Sequence, residues 1–324
     1  MRFLGLLLLW ALALPGVARA EDIVVSNYGV SANGMPFAVA LEKGYFKQEG
    51  ADVTGIVTSA GGGTTLRNML ASSAPFAEVN TNAVMAAVQQ GVDIKIVSDD
   101  VLTVAEFVWA VKPESPIKSV ADLKGKKVGY TQPRSTSQAL ATLVLQSAGL
   151  KTADAELIRT GGFGEGVAAL DTGLVDCTPI PEPLWAKFGS KYRAIARASE
   201  ILPPITNVVG VAVPGLSPEK AAFVRAVIRA RRKAVDFMKQ NPDEAGDIVA
   251  KAYNLEPSVA RQSVRALVTS RTNGVEYWGP GDMHLDGLRK AIEVQKMVGA
   301  ISGDIDANSL IDTTYLPDDL KAVK

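Results

Sequence analysis

Short apolar runs alternate with segments of helical periodicity along most of this chain, and that alternation limits the possible folds more than any other feature. Strands that alternate with helices form sheets rich in parallel pairs, with helices on both faces. The sequence therefore predicts an α/β fold. The strand-like runs are IVVSN (23–27), ADVTGIVT (51–58), IKIVSD (94–99), KKVGYT (126–131), AELIRT (155–160) and AIARA (194–198).

Two other apolar runs, FVWAVKP at 107–113 and NVVGVAVP at 207–214, each end at a proline and enclose about one small domain of chain. We interpret them as strands that cross between two lobes. A hinge near residues 111–115 and 203–207 would then let the lobes close on a ligand. The predicted segments are a first lobe at 21–110, a second lobe at 111–205, and a return to the first lobe with C-terminal helices at 206–324.

The first residues, MRFLGLLLLWALALPGVARA, have the organisation of a secretory signal peptide over positions 1–20. A basic residue precedes an apolar stretch that is too short to span a membrane, and the small residues Ala18 and Ala20 fit a cleavage site. Cleavage there leaves 304 residues, which is enough for two domains. No cysteine follows the cleavage site, so we predict a soluble periplasmic protein without a lipid anchor.

Composition argues against several classes of function. The chain has 34 basic and 34 acidic residues, and removal of the predicted signal peptide leaves 32 against 34, which gives no indication of a nucleic-acid partner. The sole cysteine, Cys177, cannot form an internal disulfide, and with the sole histidine, His284, it makes no set at metal-ligand spacing. We therefore predict no cofactor, metal site or catalytic residue, and interpret His284 as a surface or helix-start residue.

The tail from about Ser217 is predicted to be helical. The apolar residues of EKAAFVRAVIRARRKAVDFMKQ (219–240) fall on one helical stripe, at positions 224, 227, 228, 235 and 238. We interpret the arginines of this segment as a solvated face, with docking to a membrane partner as the alternative.

Four segments form a recognisable set: PFAVALEKGYFKQEGADV (36–53), SVADLKGKKVGYTQPRSTS (119–137), LDTGLVDCTPIPEPLWAKF (170–188) and NPDEA (241–245). Together they resemble periplasmic solute-binding proteins of ABC importers, in the branch that includes nitrate, sulfonate, taurine and thiamine-precursor binders. The resemblance covers nearly all of the chain after the predicted signal peptide. It implies a two-lobed periplasmic-binding-protein-like fold of type II, a monomer that closes on a small molecule and transiently contacts a membrane permease.

The sequence also departs from that family in two respects. At 72–83, SSAPFAEVNTNA, the dipeptide Ala74-Pro75 replaces an acidic turn, so Asn80 and Asn82 are candidate pocket residues by position rather than by motif. The cysteine-rich motif of the pyrimidine-synthesising relatives is absent, which counts against an enzyme.

Glycine-rich loops precede two predicted helices. GGGTTLRNML (61–70) lacks the Gly-Lys-Ser/Thr ending of a nucleotide phosphate loop, but its free N–H groups, ahead of a helix predicted to begin near Thr64, suit a small anion. A plain flexible turn is the alternative. GGFGEG (161–166) has Val167 where a dinucleotide-binding loop needs its third glycine, so we interpret it as a loop at the rim of the cleft.

The stretch YTQPRSTSQAL (130–140) ends a strand and begins a helix that is predicted to run from Thr136 to Ala148. Ser135 with Gln138 three residues later reads as a capping box that needs no ligand. A capping box does not explain Arg134, a cation beside a helix N-terminus where positive charge is disfavoured. A shared anion would explain it, because the guanidinium and free N–H groups then converge on the same group.

Glu182 lies between two prolines, Pro181 and Pro183, which restrict its backbone. It is either a solvated residue on a rigid turn or a cleft residue that accepts from an ammonium, an amide or an arginine. Apolar walls of a pocket could come from Tyr28, Tyr130, Phe163 and Trp185, for which core packing is the alternative.

These observations favour a binding protein for a small polar solute, of the sulfonate, taurine, nitrate or carboxylate class, that serves an ABC importer. The alternatives are a binder of a neutral heteroaromatic such as a thiamine-precursor pyrimidine, and a sensory module that uses the same cleft. The predicted ligand-contacting residues are Asn27, Tyr28, Asn33, Ser59, Gly61, Gly62, Thr64, Asn80, Asn82, Arg134, Ser135, Thr136, Gly162 and Glu182.

Overall fold

The computed structural model describes residues 21–59 and 61–323, so the signal peptide predicted for 1–20 lies outside the described residues. The strands are β1 (Glu21–Ser26), β2 (Val53–Ser59), β3 (Ala77–Asn80), β4 (Lys95–Val101), β5 (Phe107–Val111), β6 (Lys127–Tyr130), β7 (Glu156–Arg159), β8 (Thr178–Pro181), β9 (Arg193–Arg197), β10 (Val208–Ala212), β11 (Arg271–Thr272), β12 (Val275–Glu276) and β13 (Trp278–Gly281). The helices are α1 (Met35–Glu42), α2 (Tyr45–Glu49), α3 (Gly62–Ser72), α4 (Thr81–Gln89), α5 (Thr136–Ser147), α6 (Phe163–Thr172), α7 (Leu184–Phe188), α8 (Ala198–Ile201), α9 (Pro218–Gln240), α10 (Pro242–Tyr253), α11 (Pro257–Thr269), α12 (Leu285–Met297) and α13 (Ala307–Leu310).

The first lobe is built on a six-stranded mixed sheet with the strand order β13-β4-β10-β3-β1-β2. Strand β1 pairs in parallel with β2 and β3, whereas β10 runs antiparallel to its neighbours β3 and β4. Because β1 and β3 are parallel, their carboxyl ends meet at the same edge of the sheet. The loops and helix starts that follow these two strands therefore lie side by side.

The second lobe has a three-stranded antiparallel sheet, β8-β5-β9, and a parallel pair, β6-β7. Val128 of β6 forms a parallel bridge with Cys177, just before β8, and the Gly129 N–H donates to the Cys177 carbonyl at 2.8 Å. These contacts join the two groups of strands into one layer. The loops after β6 and β8 consequently leave that layer at the same edge.

The chain passes between the lobes twice. Strand β5 belongs wholly to the second sheet and β10 to the centre of the first, so each passage is made by the residues just before a strand, at 102–106 and 202–207. The prediction that these two strands themselves cross between the lobes is therefore wrong. The predicted α/β fold with two lobes is confirmed. The two strands that follow the passages are antiparallel to their neighbours, because the returning chain enters each sheet from the opposite end.

Helix α9 packs one face against the first lobe. All five positions of the predicted apolar stripe are buried, and the predicted helix is confirmed. Arg231, however, is only 2% exposed, so the prediction of a solvated arginine face is wrong at this position. Residue 231 lies four positions after Val227 and four before Val235, and thus falls on the apolar stripe itself.

Two other local predictions are borne out. Helix α5 runs from Thr136 to Ser147, and Gly149 follows in a left-handed conformation with φ of 75°. His284 lies at the start of α12, where its Nε2 is 3.1 Å from Asp282 Oδ2. In the described part of the chain, the helices are all too short or too polar to cross a bilayer.

Candidate functional site

A cavity of about 720 Å³ lies between the two lobes, at the carboxyl ends of β1, β3, β6 and β8. This volume is in the range that small-molecule sites use. Most of the residues that line it have polar side chains, and both lobes contribute. The polar side chains that line it belong to Asn27, Ser31, Asn33, Asn80, Asn82, Gln89, Gln90, Glu106, Thr131, Gln132, Arg134, Ser135, Thr136, Ser137, Glu182, Asn207 and Tyr277.

Arg134 lies in the loop between β6 and α5, on the second lobe's side of the cavity. Its backbone is left-handed, with φ of 61°, and its N–H donates to Gln138 Oε1 at 2.6 Å. The residue is exposed, and its guanidinium has no hydrogen-bond or ion-pair partner within residues 21–59 and 61–323. Its positive charge is therefore available to an anion in the cavity.

The hydroxyls beside Arg134 form a connected cluster. Ser135 Oγ accepts the Gln138 N–H at 3.3 Å, which confirms Ser135 as the N-cap of α5. The Ser137 hydroxyl lies 2.9 Å from that of Ser135 and 2.8 Å from that of Thr131. The predicted capping box differs in one contact. The Gln138 side chain accepts the backbone N–H of Arg134 rather than that of Ser135. The cap thus uses the hydroxyls and leaves the guanidinium unused.

On the first lobe, Asn27 holds the start of α3. Its side-chain Oδ1 accepts the Gly61 N–H at 3.2 Å, and Gly61 has a φ of 79°, which favours glycine. The helix begins at Gly62, two residues earlier than the sequence predicted. The first N–H groups of a helix have no acceptor within it, so Gly62 and Gly63 bring donors to this side of the cavity.

Glu106 forms part of the floor of the cavity, at the end of the first passage between the lobes. It is only 6% exposed. Its Oε1 accepts from Asn207 Nδ2 at 2.8 Å, whereas its Oε2 has no hydrogen-bond partner among the described residues. Burial raises the pKa of the Glu106 carboxyl to about 8, against the opposing effects of Asn207 and the Tyr277 hydroxyl. The empty cleft therefore contains a carboxyl that is mostly protonated at neutral pH.

A second buried glutamate lies next to Glu106 along the backbone. Glu182 follows β8, is 6% exposed, and accepts the Ala186 N–H through Oε2 at 3.2 Å. Its own N–H donates to the Glu106 carbonyl at 3.1 Å, so the two glutamates are neighbours. Burial raises the pKa of the Glu182 carboxyl as well. The alternative of a solvated turn is thereby wrong for Glu182, which lies in the cleft.

Asn33 reaches the cavity from the buried core of the first lobe. Its Nδ2 donates to the Ser26 carbonyl at 3.0 Å and to Glu78 Oε2 at 2.7 Å. Because both partners only accept, the amide oxygen of Asn33 is left for the cavity. Beneath it, burial and the nearby Asp100 raise the pKa of Glu78, while the Arg231 guanidinium lowers it.

The family is identified by comparison with known proteins. Residues 31–245 match the model of the family described as NMT1/THI5 like, which is well over half of the chain. The chain belongs to this family. One relative, a protein of Brucella abortus (strain 2308) with only the general name of a binding protein, is 28% identical over 255 residues, which is 75% of this chain and 76% of the relative.

Solved structures share the fold. The periplasmic aliphatic sulphonate binding protein SsuA of Escherichia coli has a TM-score of 0.72 at 19% identity, over 90% of this chain and 91% of SsuA. The periplasmic nitrate-binding protein NrtA of Synechocystis PCC 6803 has a TM-score of 0.71 at 15% identity, over 94% and 88%. A desulfurization enzyme is more distant, with a TM-score of 0.65 at 13% identity, over 91% and 97%. The chain is thus a solute-binding protein by family, with the fold of periplasmic binding proteins.

Most of the predicted ligand-contacting residues come together in the cavity of this family member. Those that line it are Asn27, Asn33, Gly61, Gly62, Asn80, Asn82, Arg134, Ser135, Thr136 and Glu182. Their contact with a ligand stays a prediction.

Four predicted residues lie outside the lining. Tyr28 packs edge-on against Tyr253, with ring centroids 5.3 Å apart, and Ser59 Oγ accepts from Asn68 Nδ2 at 2.6 Å. Thr64 accepts from the Arg67 guanidinium at 2.9 Å, so its hydroxyl is used within α3. Gly162 precedes α6, and its carbonyl accepts the Thr160 hydroxyl at 3.2 Å. Each of these residues therefore has a contact within the protein that does not involve the cavity.

The sequence analysis missed three floor residues, Glu106, Asn207 and Tyr277. Glu106 and Asn207 directly precede the strands β5 and β10 that follow the two passages, and Tyr277 directly precedes β13 near the C-terminus. None of the three is part of a sequence motif. The available signal was a polar residue directly before an apolar run, as in Glu106 before FVWAV and Asn207 before VVGVA. Of the proposed apolar walls, Phe163 lines the cavity and stacks at a tilt on Phe107, with centroids 5.5 Å apart.

Proposed function

We propose that this protein captures a small anionic solute between its lobes, outside the cytoplasm, and delivers it to the permease of an ABC importer. The observation that carries this proposal is Arg134, an exposed cation that lines the cavity and has no side-chain partner among the described residues. Across the cavity lie the N–H groups at the start of α3. A sulfonate, carboxylate or nitrate suits both kinds of donor, because charge-assisted hydrogen bonds and a helix N-terminus both favour anions.

A neutral heteroaromatic ligand, such as a thiamine-precursor pyrimidine, is the second candidate. The tilted pair Phe107 and Phe163 offers an apolar wall, and Asn80 and Asn82 could read ring nitrogens. A thermal-shift screen separates the two ligand classes, since a ligand at a hundred times its Kd stabilises the folded state by about 2.7 kcal/mol. Stabilisation by aminopyrimidines and by no small anion would contradict the anionic assignment.

We propose binding without turnover. The hydroxyls of Ser135 and Ser137 bond one another and Thr131, and the cavity lining given above contains no histidine or cysteine to activate them. Incubation of the best ligand from the screen with excess protein tests this, because any conversion seen by mass spectrometry would contradict it. Delivery to an importer rather than to a sensory receptor is tested by uptake in a strain that lacks this protein.

We further propose that the lobes close about the two passages, at 102–106 and 202–207. The second passage coincides with the predicted hinge at 203–207, whereas the first lies at the opposite end of β5 from the predicted 111–115. Both passages contribute to the cavity floor, through Glu106 and through Asn207. Small-angle scattering with and without saturating ligand tests closure. A radius of gyration that does not fall would contradict it, and the same measurement reports whether the protein is a monomer.

The periplasmic location rests on the predicted signal peptide. Cleavage after Ala20 should give a mature chain that begins at Glu21, as mass spectrometry of exported protein would measure. Retention of Met1 in that material would overturn the assignment.

A further inference from the structure

The floor of the cavity contains a carboxyl oxygen that makes no hydrogen bond with the described residues. Glu106 is more than nine-tenths buried, yet its Oε2 has no hydrogen-bond partner in the described ranges 21–59 and 61–323. Its other oxygen is held by Asn207 at 2.8 Å, which fixes the direction of the carboxyl group. A buried carboxyl oxygen left without a partner is costly, and such atoms in native structures call for an explanation.

A purely structural role does not account for a carboxyl at this position. To hold Asn207 Nδ2, one amide oxygen would suffice, and a glutamine would supply it without the cost of burying an ionisable group. The groups that face Glu106 are the Asn207 amide, the Tyr277 hydroxyl and the Glu182 residue after β8. None of these residues carries a positive charge. A cation for this carboxyl would have to come from outside the protein.

We propose that Glu106 binds an amino or ammonium group of the solute, so that the ligand carries a donor at one end and an anion at the other. This inference rests on the proposed function, since it assigns the anionic end to Arg134. Glu182 is a second buried carboxyl of the lining, but its Oε2 is already used by the Ala186 N–H. The amide oxygen of Asn33, freed by its two donated hydrogen bonds, adds another acceptor in the cavity.

The arrangement predicts a proton balance for binding. With a pKa of about 8, the Glu106 carboxyl is mostly protonated in the empty cleft at pH 7. An ammonium group favours the carboxylate form, so the carboxyl loses its proton to the buffer as the ion pair forms. Tyr277, whose pKa burial raises well above its usual range, stays a neutral hydroxyl and takes no part in the transfer. Binding of an amine-bearing ligand should therefore release up to one proton.

Calorimetric titration with matched probe pairs tests the proposal. We would compare 2-aminoethanesulfonate with ethanesulfonate, and 3-aminopropanoate with propanoate, at pH 7 in phosphate and in Tris. The amino member of at least one pair should bind at least tenfold tighter. The difference in apparent enthalpy between the buffers should report proton release for that member alone.

Glu106→Gln should abolish both the preference and the proton release, whereas Glu114→Gln, at an exposed position just beyond β5, should change neither. Equal affinity within both pairs, or an amine preference without proton release, overturns the inference and leaves the proposed function standing. No binding of these four probes or of nitrate overturns both. The wild-type buffer comparison decides the matter even if Glu106→Gln fails to fold.

Discussion

Two arginines at opposite depths of this protein show how the surroundings of one side chain type determine its role. Arg134 lies at the rim of the second lobe and is exposed, and no residue in 21–59 or 61–323 pairs with its side chain. Arg231 lies in the core of the first lobe, where it donates to the carbonyls of Gly279 at 2.8 Å and Asp100 at 2.5 Å. Its Nε is also 3.5 Å from Asp100 Oδ1. The first charge is available to a ligand, and the second is paired inside the lobe with Glu78 and Asp100.

The comparison also separates two uses of acidic residues. In the core, Glu78 and Asp100 surround a cation that the protein itself provides. In the cleft, Glu106 has no cationic partner among the described residues, whereas Arg197 acts on Glu182 and opposes the rise that burial causes in its pKa. A buried carboxyl with an internal partner stabilises one conformation, and one without a partner is suited to selecting a ligand.

The largest effect is expected for Arg231→Met. The substitution leaves Glu78 and Asp100 buried without their cation, and breaking a buried ion pair costs about 3–5 kcal/mol of unfolding free energy. Urea denaturation measures the loss. Arg225→Met, on the same helix, is the matched control and should stay within about 0.5 kcal/mol of wild type. A loss for Arg231→Met no larger than for the control would mean that the core network contributes nothing to stability.

The buried carboxyl of Asp99 predicts a pH dependence of stability. Burial raises its pKa to about 7, from about 3.9 in the unfolded chain, so the folded state binds the proton more tightly. Its contribution is fully present below the unfolded pKa and is lost as pH rises through 7, at about 1.4 kcal/mol per pH unit. Unfolding in urea at pH 5.5 and 7.5 should find the protein more stable at pH 5.5. Asp99→Asn should reduce this difference without abolishing it, because the raised pKa of Glu106 contributes with the same sign over this range. An unchanged slope would contradict the assignment.

Arg134→Ala is expected to act on affinity rather than on stability. Loss of a charge-assisted hydrogen bond costs about 1.5–3 kcal/mol, so an anionic ligand should bind about ten- to a hundredfold more weakly. The melting temperature of the ligand-free protein should not change, because the side chain touches no protein partner. Arg134→Lys keeps the charge but not the planar fork and should recover part of the affinity. Unchanged calorimetric affinity in Arg134→Ala would remove this residue from the site.

Ser135→Ala is expected to have the smallest effect, and one opposite in kind to that of Arg134→Ala. It removes the N-cap of α5 and should lower the unfolding free energy by about 1 kcal/mol with or without ligand. Thermal melts of the free and the liganded variant measure it. A loss of stability that appears only with ligand bound would mean that the Ser135 hydroxyl acts on the ligand and not as the helix cap.

The sequence predicts the features of this fold that depend on residues close together in the chain. Alternating strands and helices, the α5 cap and the stripe of α9 are all short-range patterns, and the structure contains each of them. The ten cleft residues found in advance follow strands at the edge where parallel strands end. The pairing of Asn207 with Glu106 joins residues 101 positions apart, which no local pattern reports.

Arg231 illustrates a different limit. The spacing from Val227 and to Val235 places residue 231 on the apolar stripe. Arginine is mostly exposed in proteins, and for that reason the sequence analysis assigned it to the solvated face. A charged residue within the apolar stripe of a helix indicates either that the helix is exposed at that point or that the charge has a buried partner. Glu78 and Asp100, from two other strands, were the partners, and only the fold brings them near.

The position of β10 has a consequence for the order in which the two lobes can fold. This strand is central to the first sheet, between β3 and β4, yet it is encoded after every strand of the second sheet, from β5 to β9. A chain that emerges from its N-terminus can therefore complete the later-encoded lobe while the earlier one still waits for its middle strand. The lobe that begins first finishes last, and its unpaired β3 and β4 edges stay open to wrong partners throughout that interval.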